Sequence, residues 1–165
     1  MEQPSLEAII RAREKYLPLL ARGKETNLEL RWGKEHHVSI HKELLFLQCP
    51  VFKSILDWRK RNGRDTNNLY FYGEHPLIMK ALITYLYEGT YDPPTRREID
   101  SPLLFHVDLA DAAELWGLKR LKCVADEFFM KILLESFRQR EVIGTMHMAY
   151  LGARATNAIS EAYGR

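Results

Sequence analysis

The sequence is poor in cysteine and has no long hydrophobic run. Its two cysteines, Cys49 and Cys123, lie far apart and form no Cys-x-x-Cys pair, so a disulfide framework is not expected. No apolar stretch reaches the roughly 18 to 20 residues that a membrane-spanning helix needs. Charged residues between Glu7 and Lys15 interrupt the region where a signal peptide would be apolar. We therefore expect a reduced protein of the cytoplasm or nucleus, neither exported nor inserted into a membrane.

The sequence also lacks a strong excess of either charge. It has 24 basic and 22 acidic residues and a net charge of +2. No strong overall field therefore attracts nucleic acid or anionic lipid, and we expect no direct binding to nucleic acid.

Common catalytic and nucleotide-binding motifs are missing as well. The chain contains no Gly-x-Ser-x-Gly, no P-loop and no Gly-x-Gly-x-x-Gly. We therefore expect no catalytic residue, no cofactor and no small-molecule substrate, and an enzyme is the least favoured class.

Three histidines are the best metal candidates by composition. His36 and His37 are neighbours on a predicted strand, where successive side chains point to opposite faces. With His41 they still form no tetrahedral set, because no cysteine or second histidine pair completes it. We expect no metal site, and we expect His41 to pack as a structural residue at the strand end.

A second group of titratable residues, His106, Asp108, Asp111 and Glu114, recurs about every three positions along a predicted helix. Acid–base catalysis by paired carboxylates needs a pocket that separates their pKa values. A solvent-facing side of the helix explains this spacing better than a catalytic site.

Two further features have two interpretations each. Cys49 precedes Pro50 at a helix start, where a thiol can become reactive, but a buried structural thiol is favoured. The basic run from Arg59 to Arg64 is short. It is interpreted as a solvated loop, with a targeting signal left open.

What is present is a consistent pattern of short strands and helices. A length of 165 residues favours one domain. A predicted hairpin is followed by two short helices, a third strand and then helices only, which indicates the α+β class. The apolar periodicity places these segments at 26–32, 35–40, 41–47, 50–58, 69–72, 76–88, 101–116 and 118–136.

An amphipathic helix over residues 5–22 precedes the predicted hairpin. Ser5 is a plausible N-cap, and Pro18 is expected to end or kink the helix just before it. A lone helix of this length is marginal in water. Its apolar side therefore needs cover, either from its own domain or from a partner chain. That side comprises Leu6, Ile9, Ile10, Leu17 and Leu20.

The helix over 76–88 is apolar almost all round, which predicts a central, buried position. Tyr85 and Tyr87 within it are two residues apart and cannot share one helix face. We therefore expect one of the two rings to be buried and the other exposed.

Three segments in the same order resemble the BTB/POZ domain family. They read "HVSIHKELLFLQCPVFKSIL", "YFYGEHPLIMKALITYLYEGTYD" and "LLFHVDLADAAELWGLKRLKCVADEFF". They are similar to the family's strand with a His-Lys or His-Arg pair, to its "YLYTGxY" segment and to its later helix pair. The resemblance covers about residues 24–135, with a helical extension at 1–23 and another at 136–165. The linker before Ser101 and the C-terminal helix look most like fungal members.

The resemblance implies a small mixed sheet with a helical cluster and a non-catalytic protein–protein interaction module. Family members self-associate, some hold a cullin scaffold of a ubiquitin ligase, and others recruit transcriptional corepressors. We expect a homodimer or scaffold, with a cullin adaptor as the alternative. The interface residues expected from the resemblance are Leu6, Ile9, Ile10, Leu17, Leu28, Lys42, Leu44 and Leu45.

Two departures from the family pattern bear on partners. Asn27 stands where many dimerising members have an acidic residue that pairs with the basic residue of the His-Lys motif, here Lys42. Because an unpaired buried charge is costly, Lys42 should either reach solvent or be served by Glu25 or Glu29. The loop after the second short helix also lacks the hydrophobic-x-Glu motif of cullin-binding members.

Overall fold

The structure is a computed structural model that describes residues 5–95 and 97–138, with side chains described up to residue 136. Helices pack around a small three-stranded sheet. Along this part of the chain the elements are α1 Leu6–Ala21, β1 Leu28–Trp32, β2 His36–Ile40, α2 Lys42–Gln48, α3 Pro50–Arg61, β3 Asn68–Phe71, α4 Pro76–Glu88, α5 Pro102–Trp116 and α6 Lys119–Arg138.

The three strands form one mixed sheet with the order β2-β1-β3. β1 pairs with β2 in the predicted antiparallel hairpin and with β3 in parallel. Leu30 lies opposite Val38 on one side and Leu69 on the other. Because side chains alternate along a strand, these apolar residues face the helices and the opposite face meets solvent. The predicted α+β class is confirmed.

Local signals in the sequence set several helix ends. The Oγ of Ser5 accepts a hydrogen bond from the Ala8 amide at 3.2 Å, so the predicted N-cap of α1 is confirmed. Ser101 caps α5 in the same way through the Leu104 amide. Gly89 ends α4 with φ of 81°, a left-handed conformation that glycine adopts without steric cost.

Of the two alternatives predicted at Pro18, the end of α1 is wrong, and a kink stays a prediction. Pro18 lies inside the helix, which continues to Ala21. Proline removes one backbone donor, and the carbonyl that it would have bonded belongs to Glu14, four residues earlier. Glu14 is exposed, so solvent can satisfy that carbonyl and the helix tolerates the loss.

Helix α4 lies in the centre of the fold, as predicted, but the expectation of one exposed tyrosine is wrong. Tyr85 is 6% exposed and Tyr87 is 2% exposed. Three helices, α1, α2 and α5, pack against α4 and cover it on different sides. Opposite faces of the same helix can therefore both be buried.

The predicted C-terminal extension at 136–165 lies almost wholly outside the described residues. Its first residues belong to α6, which reaches Arg138. Among the helices that the structure describes, none combines the length and the apolar composition needed to cross a bilayer.

Candidate interaction surface

Helix α1 is fastened to the body of the domain by one arginine. The Nε of Arg13 donates to the Leu86 carbonyl at 3.0 Å, and its Nη2 donates to the Tyr85 carbonyl at 3.0 Å and to Gln48 Oε1 at 2.7 Å. The guanidinium also lies over the Tyr85 ring, 5.2 Å from its centroid. A forked cation suits this site because it meets several oxygen acceptors at the C-terminal end of α4.

The end of α4 leaves room for that guanidinium. A methyl group built on Gly89 would lie 2.5 Å from Nη1 of Arg13. Glycine therefore avoids strain in the left-handed turn, and its missing Cβ leaves the space that the guanidinium occupies.

Docking leaves part of the apolar surface of α1 uncovered. Ala12, Tyr16 and Leu20 pack against the core, whereas Leu6, Ile10 and Leu17 remain 45%, 43% and 39% exposed. Both predicted kinds of cover for this helix therefore remain open, because its inner face packs on its own domain and its outer face is left exposed by the residues that the structure describes. We call Leu6, Ile10 and Leu17 the α1 stripe.

The residues that the resemblance implied for the interface differ in burial: some are core residues, and others keep exposed surface. Leu28, Leu44 and Leu45 are 1–2% exposed and belong to the core of the chain itself. Their side chains can meet no partner while the domain is folded as described. Of the others, Ile9 is half-buried beside the α1 stripe.

Lys42 reaches solvent, which is the first of the two alternatives expected for it. Its Nζ donates to Asn67 Oδ1 at 3.2 Å, and the side chain is half-exposed. Asn27, which replaces the usual acidic residue, accepts the backbone amide of Lys42 through its Oδ1 at 2.7 Å and donates to Glu43. The substitution therefore provides a cap for α2, and it leaves the lysine with a neutral amide partner.

His41 is a structural residue, and its bonds fix its tautomer. Its ring is fully buried, with Nε2 at 3.0 Å from the Lys24 carbonyl and Nδ1 at 2.8 Å from the Tyr87 hydroxyl. A carbonyl only accepts, so Nε2 carries a proton, and in the neutral imidazole the hydroxyl then donates to Nδ1. The same hydroxyl accepts the His41 backbone amide. Burial raises the pKa of Tyr87 to about 12.

The other two histidines of the candidate metal set have separate surroundings. His36 stacks on Trp32, and Nε2 of His37 lies 3.9 Å from Glu29. Within residues 5–95 and 97–138, no group of three or more His, Cys, Asp or Glu side chains is arranged to hold a metal ion.

The prediction of a solvated face in α5 is wrong for His106. Asp108 and Glu114 are exposed as expected, but His106 is 1% exposed and its Nδ1 lies 2.9 Å from the Tyr91 hydroxyl. Its ring stacks on Phe128 of α6. Loss of hydration lowers the pKa of His106 to about 4, so it is a neutral packing residue at physiological pH.

Cys49 is the buried thiol that was favoured over a reactive one. It has no exposed surface, and burial raises the pKa of its thiol. Because the thiolate is the reactive form, this raised pKa makes Cys49 inert near neutral pH.

Helix α3 carries a second apolar stripe that the sequence did not separate from its core face. Phe52 and Leu56 are buried, whereas Val51, Ile55 and Trp58 are 42%, 38% and 47% exposed. The three exposed residues are spaced by four and three positions, so they lie on one side of the helix. We call Val51, Ile55 and Trp58 the α3 stripe.

Basic residues surround the C-terminal end of the α3 stripe. The predicted loop begins later than expected, so Arg59, Lys60 and Arg61 form the last turn of α3, where cations complement the helix dipole. Arg59 donates to the Asn68 carbonyl at 2.7 Å, and the guanidinium of Arg64 lies 5.0 Å from the centroid of the Trp58 ring.

The α1 stripe borders a groove through Leu6. Its volume is about 680 Å³, and its lining includes Leu6 and Ile9 of α1, Pro50 at the start of α3, and Leu118 and Val124 beside and within α6. The N-terminal ends of α1 and α3 therefore lie close together on one side of the domain.

The part of the chain that the structure describes thus offers two exposed apolar stripes, a kind of surface that protein-binding domains use. The sequence profile of the BTB/POZ domain matches residues 17–133, most of the chain. The chain therefore belongs to the BTB/POZ family, whose domains are non-enzymatic protein–protein interaction modules.

Solved structures support the same fold. The BTB domain of zebrafish PATZ1 is similar with a TM-score of 0.58 and 15% sequence identity, covering 79% of this chain and 98% of that one. The BTB domain of human Gigaxonin is similar with a TM-score of 0.53 and 18% identity, covering 78% and 96%. At these identities the likeness shows the fold alone. No curated protein matches the sequence.

Sequence reasoning missed Arg13 and the α3 stripe. An arginine in an amphipathic helix is indistinguishable by periodicity from a solvated one, and nothing local identifies its three acceptors. The α3 stripe did leave a signal. Positions 51, 55 and 58 project from a different side of a helix than positions 52 and 56, because successive residues are rotated by about 100°.

Proposed function

We propose that this domain self-associates through the outer face of α1. The observation that supports the proposal is the α1 stripe, three aliphatic side chains that stay exposed on a helix already docked by its inner face. Exposed apolar patches on soluble domains mark interaction sites when they are contiguous. Because Arg13 holds the helix in place, the stripe is presented on a rigid element, which lowers the entropy that a partner must offset on binding.

The stripe can supply a useful but modest binding free energy. Covering the remaining exposed surface of each aliphatic side chain contributes about 1 kcal/mol. Three such residues contribute about 3 kcal/mol, which corresponds to more than a 100-fold effect on a dissociation constant.

Sedimentation equilibrium of the purified chain tests this proposal. We expect a dimer or larger species at micromolar concentration, and we expect Ile10→Asp to shift the population toward the monomer at least tenfold. Leu115→Asp is a matched control, because Leu115 is 74% exposed but lies on α5. A wild-type chain that stays monomeric at high micromolar concentration contradicts the proposal.

A cullin adaptor is the alternative function. Its support is the family resemblance, and the 62–67 loop provides no hydrophobic-x-Glu triplet for such a contact. That loop uses Asp65 internally, since its carboxylate accepts from the Asn67 amide and from the Asn68 side chain. Capture of a purified cullin scaffold by the immobilised chain would favour the adaptor, and Ile10→Asp should leave that capture intact.

Three statements remain predictions. The chain is predicted to be most like fungal family members, to act in the cytoplasm or nucleus, and not to bind nucleic acid directly. Their support is the composition and the resemblance described for the sequence.

A further inference from the structure

We infer that the C-terminal segment of this chain docks on the pair formed by α5 and α6, at the end of the pair opposite its connecting turn. The occupant is the segment 142–151, which follows α6 after a short connection. The contact lies within one chain, so the inference does not rest on the proposed self-association.

A small second core lies at this end of the helix pair. Leu103 of α5 and Phe129 and Leu133 of α6 are buried together there, apart from the main core. Val107 and Met130 pack against them and are only half-buried. The described residues therefore cover this core incompletely.

Each of the two helices presents an apolar row beside the small core. Leu103 and Val107 are one helical turn apart in α5, and Met130 and Leu134 are one turn apart in α6. Because Val107 and Met130 pack on the same small core, the two rows lie side by side. Leu134 is 45% exposed. A third helix can interdigitate its side chains with two such rows.

The chain leaves the described domain beside this surface. Helix α6 ends at Arg138, one turn beyond Leu134, and residues 139–165 follow it. The segment 142–151 has apolar residues at helical spacing, which predicts an amphipathic helix, and Gly152 is placed to end it. These apolar residues are Val142, Ile143, Met146, Ala149 and Tyr150. A lone helix of about ten residues is marginal in water, so its apolar side needs a surface to cover it.

The connection sets the register of the proposed contact. Only residues 139–141 separate α6 from the predicted helix, a length that is usual between antiparallel helices. A helix of about ten residues spans about 15 Å, which reaches from the end of α6 back past Met130. With the turn centred on residue 140, Met146 lies opposite Leu134 and Tyr150 lies opposite Met130.

The tether favours this occupant over a separate protein. A short link between two binding partners gives an effective concentration in the millimolar range. A second copy or another protein at micromolar concentration therefore competes poorly for the same surface.

Two methionines provide a matched test in the full chain. Met146 lies on the apolar side of the predicted helix, whereas Met148 is rotated from it by about 200°. Met146→Asp should raise the hydrogen-exchange rates of the amides of residues 129–136 at least tenfold, because the lost cover lets the end of α6 open. Met148→Asp should change these rates less than threefold. Circular dichroism should show that both variants remain folded.

Disulfide formation tests the register, in a chain whose exposed Cys123 is replaced by serine. Leu134→Cys with Met146→Cys should form an intrachain disulfide at least tenfold faster than Glu135→Cys with Met146→Cys. Both pairs are separated by nearly the same length of chain, but the exposed Glu135 is rotated from Leu134 by about 100° on α6. A segment that does not dock would close both disulfides at similar rates.

The outcomes separate this contact from its alternatives. Tenfold differences in both experiments that do not depend on protein concentration support the inference. Equal effects of the two methionine substitutions, no effect of either, or similar disulfide rates overturn it. Protection that grows with protein concentration, or a disulfide between two chains, assigns the surface to a second copy and also overturns it. A monomeric parent contradicts only the proposed self-association.

Discussion

Replacing Arg13 with methionine should release α1 from the domain without unfolding the rest. Methionine keeps the apolar stem of the side chain, but it removes the guanidinium and with it all three hydrogen bonds and the contact over the Tyr85 ring. The substitution therefore isolates the contribution of the guanidinium from that of the apolar stem.

The hydrogen bonds that remain after the substitution limit the expected loss of stabilising free energy. The Leu86 carbonyl still accepts from Gln48 Nε2 at 2.7 Å, and the Tyr85 carbonyl still accepts from the Gly89 amide at 2.9 Å. Only Gln48 Oε1 loses its protein donor. Hydrogen bonds to a charged group contribute about 1.5–3 kcal/mol, and an orphaned buried acceptor costs about 1–3 kcal/mol. Since the site is part-buried, a total of about 2–4 kcal/mol is expected.

Hydrogen exchange of the α1 backbone amides is the appropriate assay, because it reports local opening rather than global unfolding. A loss of about 2–4 kcal/mol raises the exchange rates of α1 by about 30- to 1,000-fold, while amides of α4 and α5 change little. Arg11→Met, at an exposed position of the same helix, is the control. A change below threefold in α1, or an equal change throughout the domain, refutes the role assigned to Arg13.

Two predictions concern the buried polar groups. Between pH 6.5 and 4 the unfolded chain binds a proton that folded His106 does not, so the free energy of unfolding should fall by up to about 3 kcal/mol as pH drops through this range. Urea titrations at several pH values should show this fall in the parent and in His37→Gln, but not in His106→Gln. Tyr87→Phe should cost about 2–4 kcal/mol, because the His41 amide and Nδ1 lose their partner. Thermal unfolding should show this loss, with the exposed Tyr72→Phe unchanged as control.

The sequence predicted the fold because its signals were local and consistent. Alternating apolar residues indicated β1, glycine and proline indicated the ends of α4, and serine residues indicated two N-caps. Such signals depend on residues a few positions apart, and their physical causes operate before any tertiary contact forms. The order of the strands and helices, on which the family resemblance is based, was predicted from the same local signals.

The errors share a different cause. Tyr85 and His106 are buried by elements that lie far away in the chain, and Pro18 is tolerated because the carbonyl that it leaves free can reach solvent. In each case the surroundings of the residue in space, either packed elements or solvent, overruled a local rule. Periodicity gives the direction of a side chain relative to its own helix, but not whether a second element covers that side.

The surface was the least predictable part for the same reason. An apolar residue at helical spacing carries the same local signal whether its own domain or a partner covers it. Periodicity therefore separates the side of Val51 from that of Phe52, but it does not tell which side the domain itself covers. Only the exposed residues can bind another chain, and here they include the stripes of α1 and α3. A domain that covered both stripes with its own segments would have no need of Arg13 to hold α1 in a fixed position. The arginine makes sense if the outer face of α1 must be presented in one orientation, which is what a specific contact with a second molecule requires.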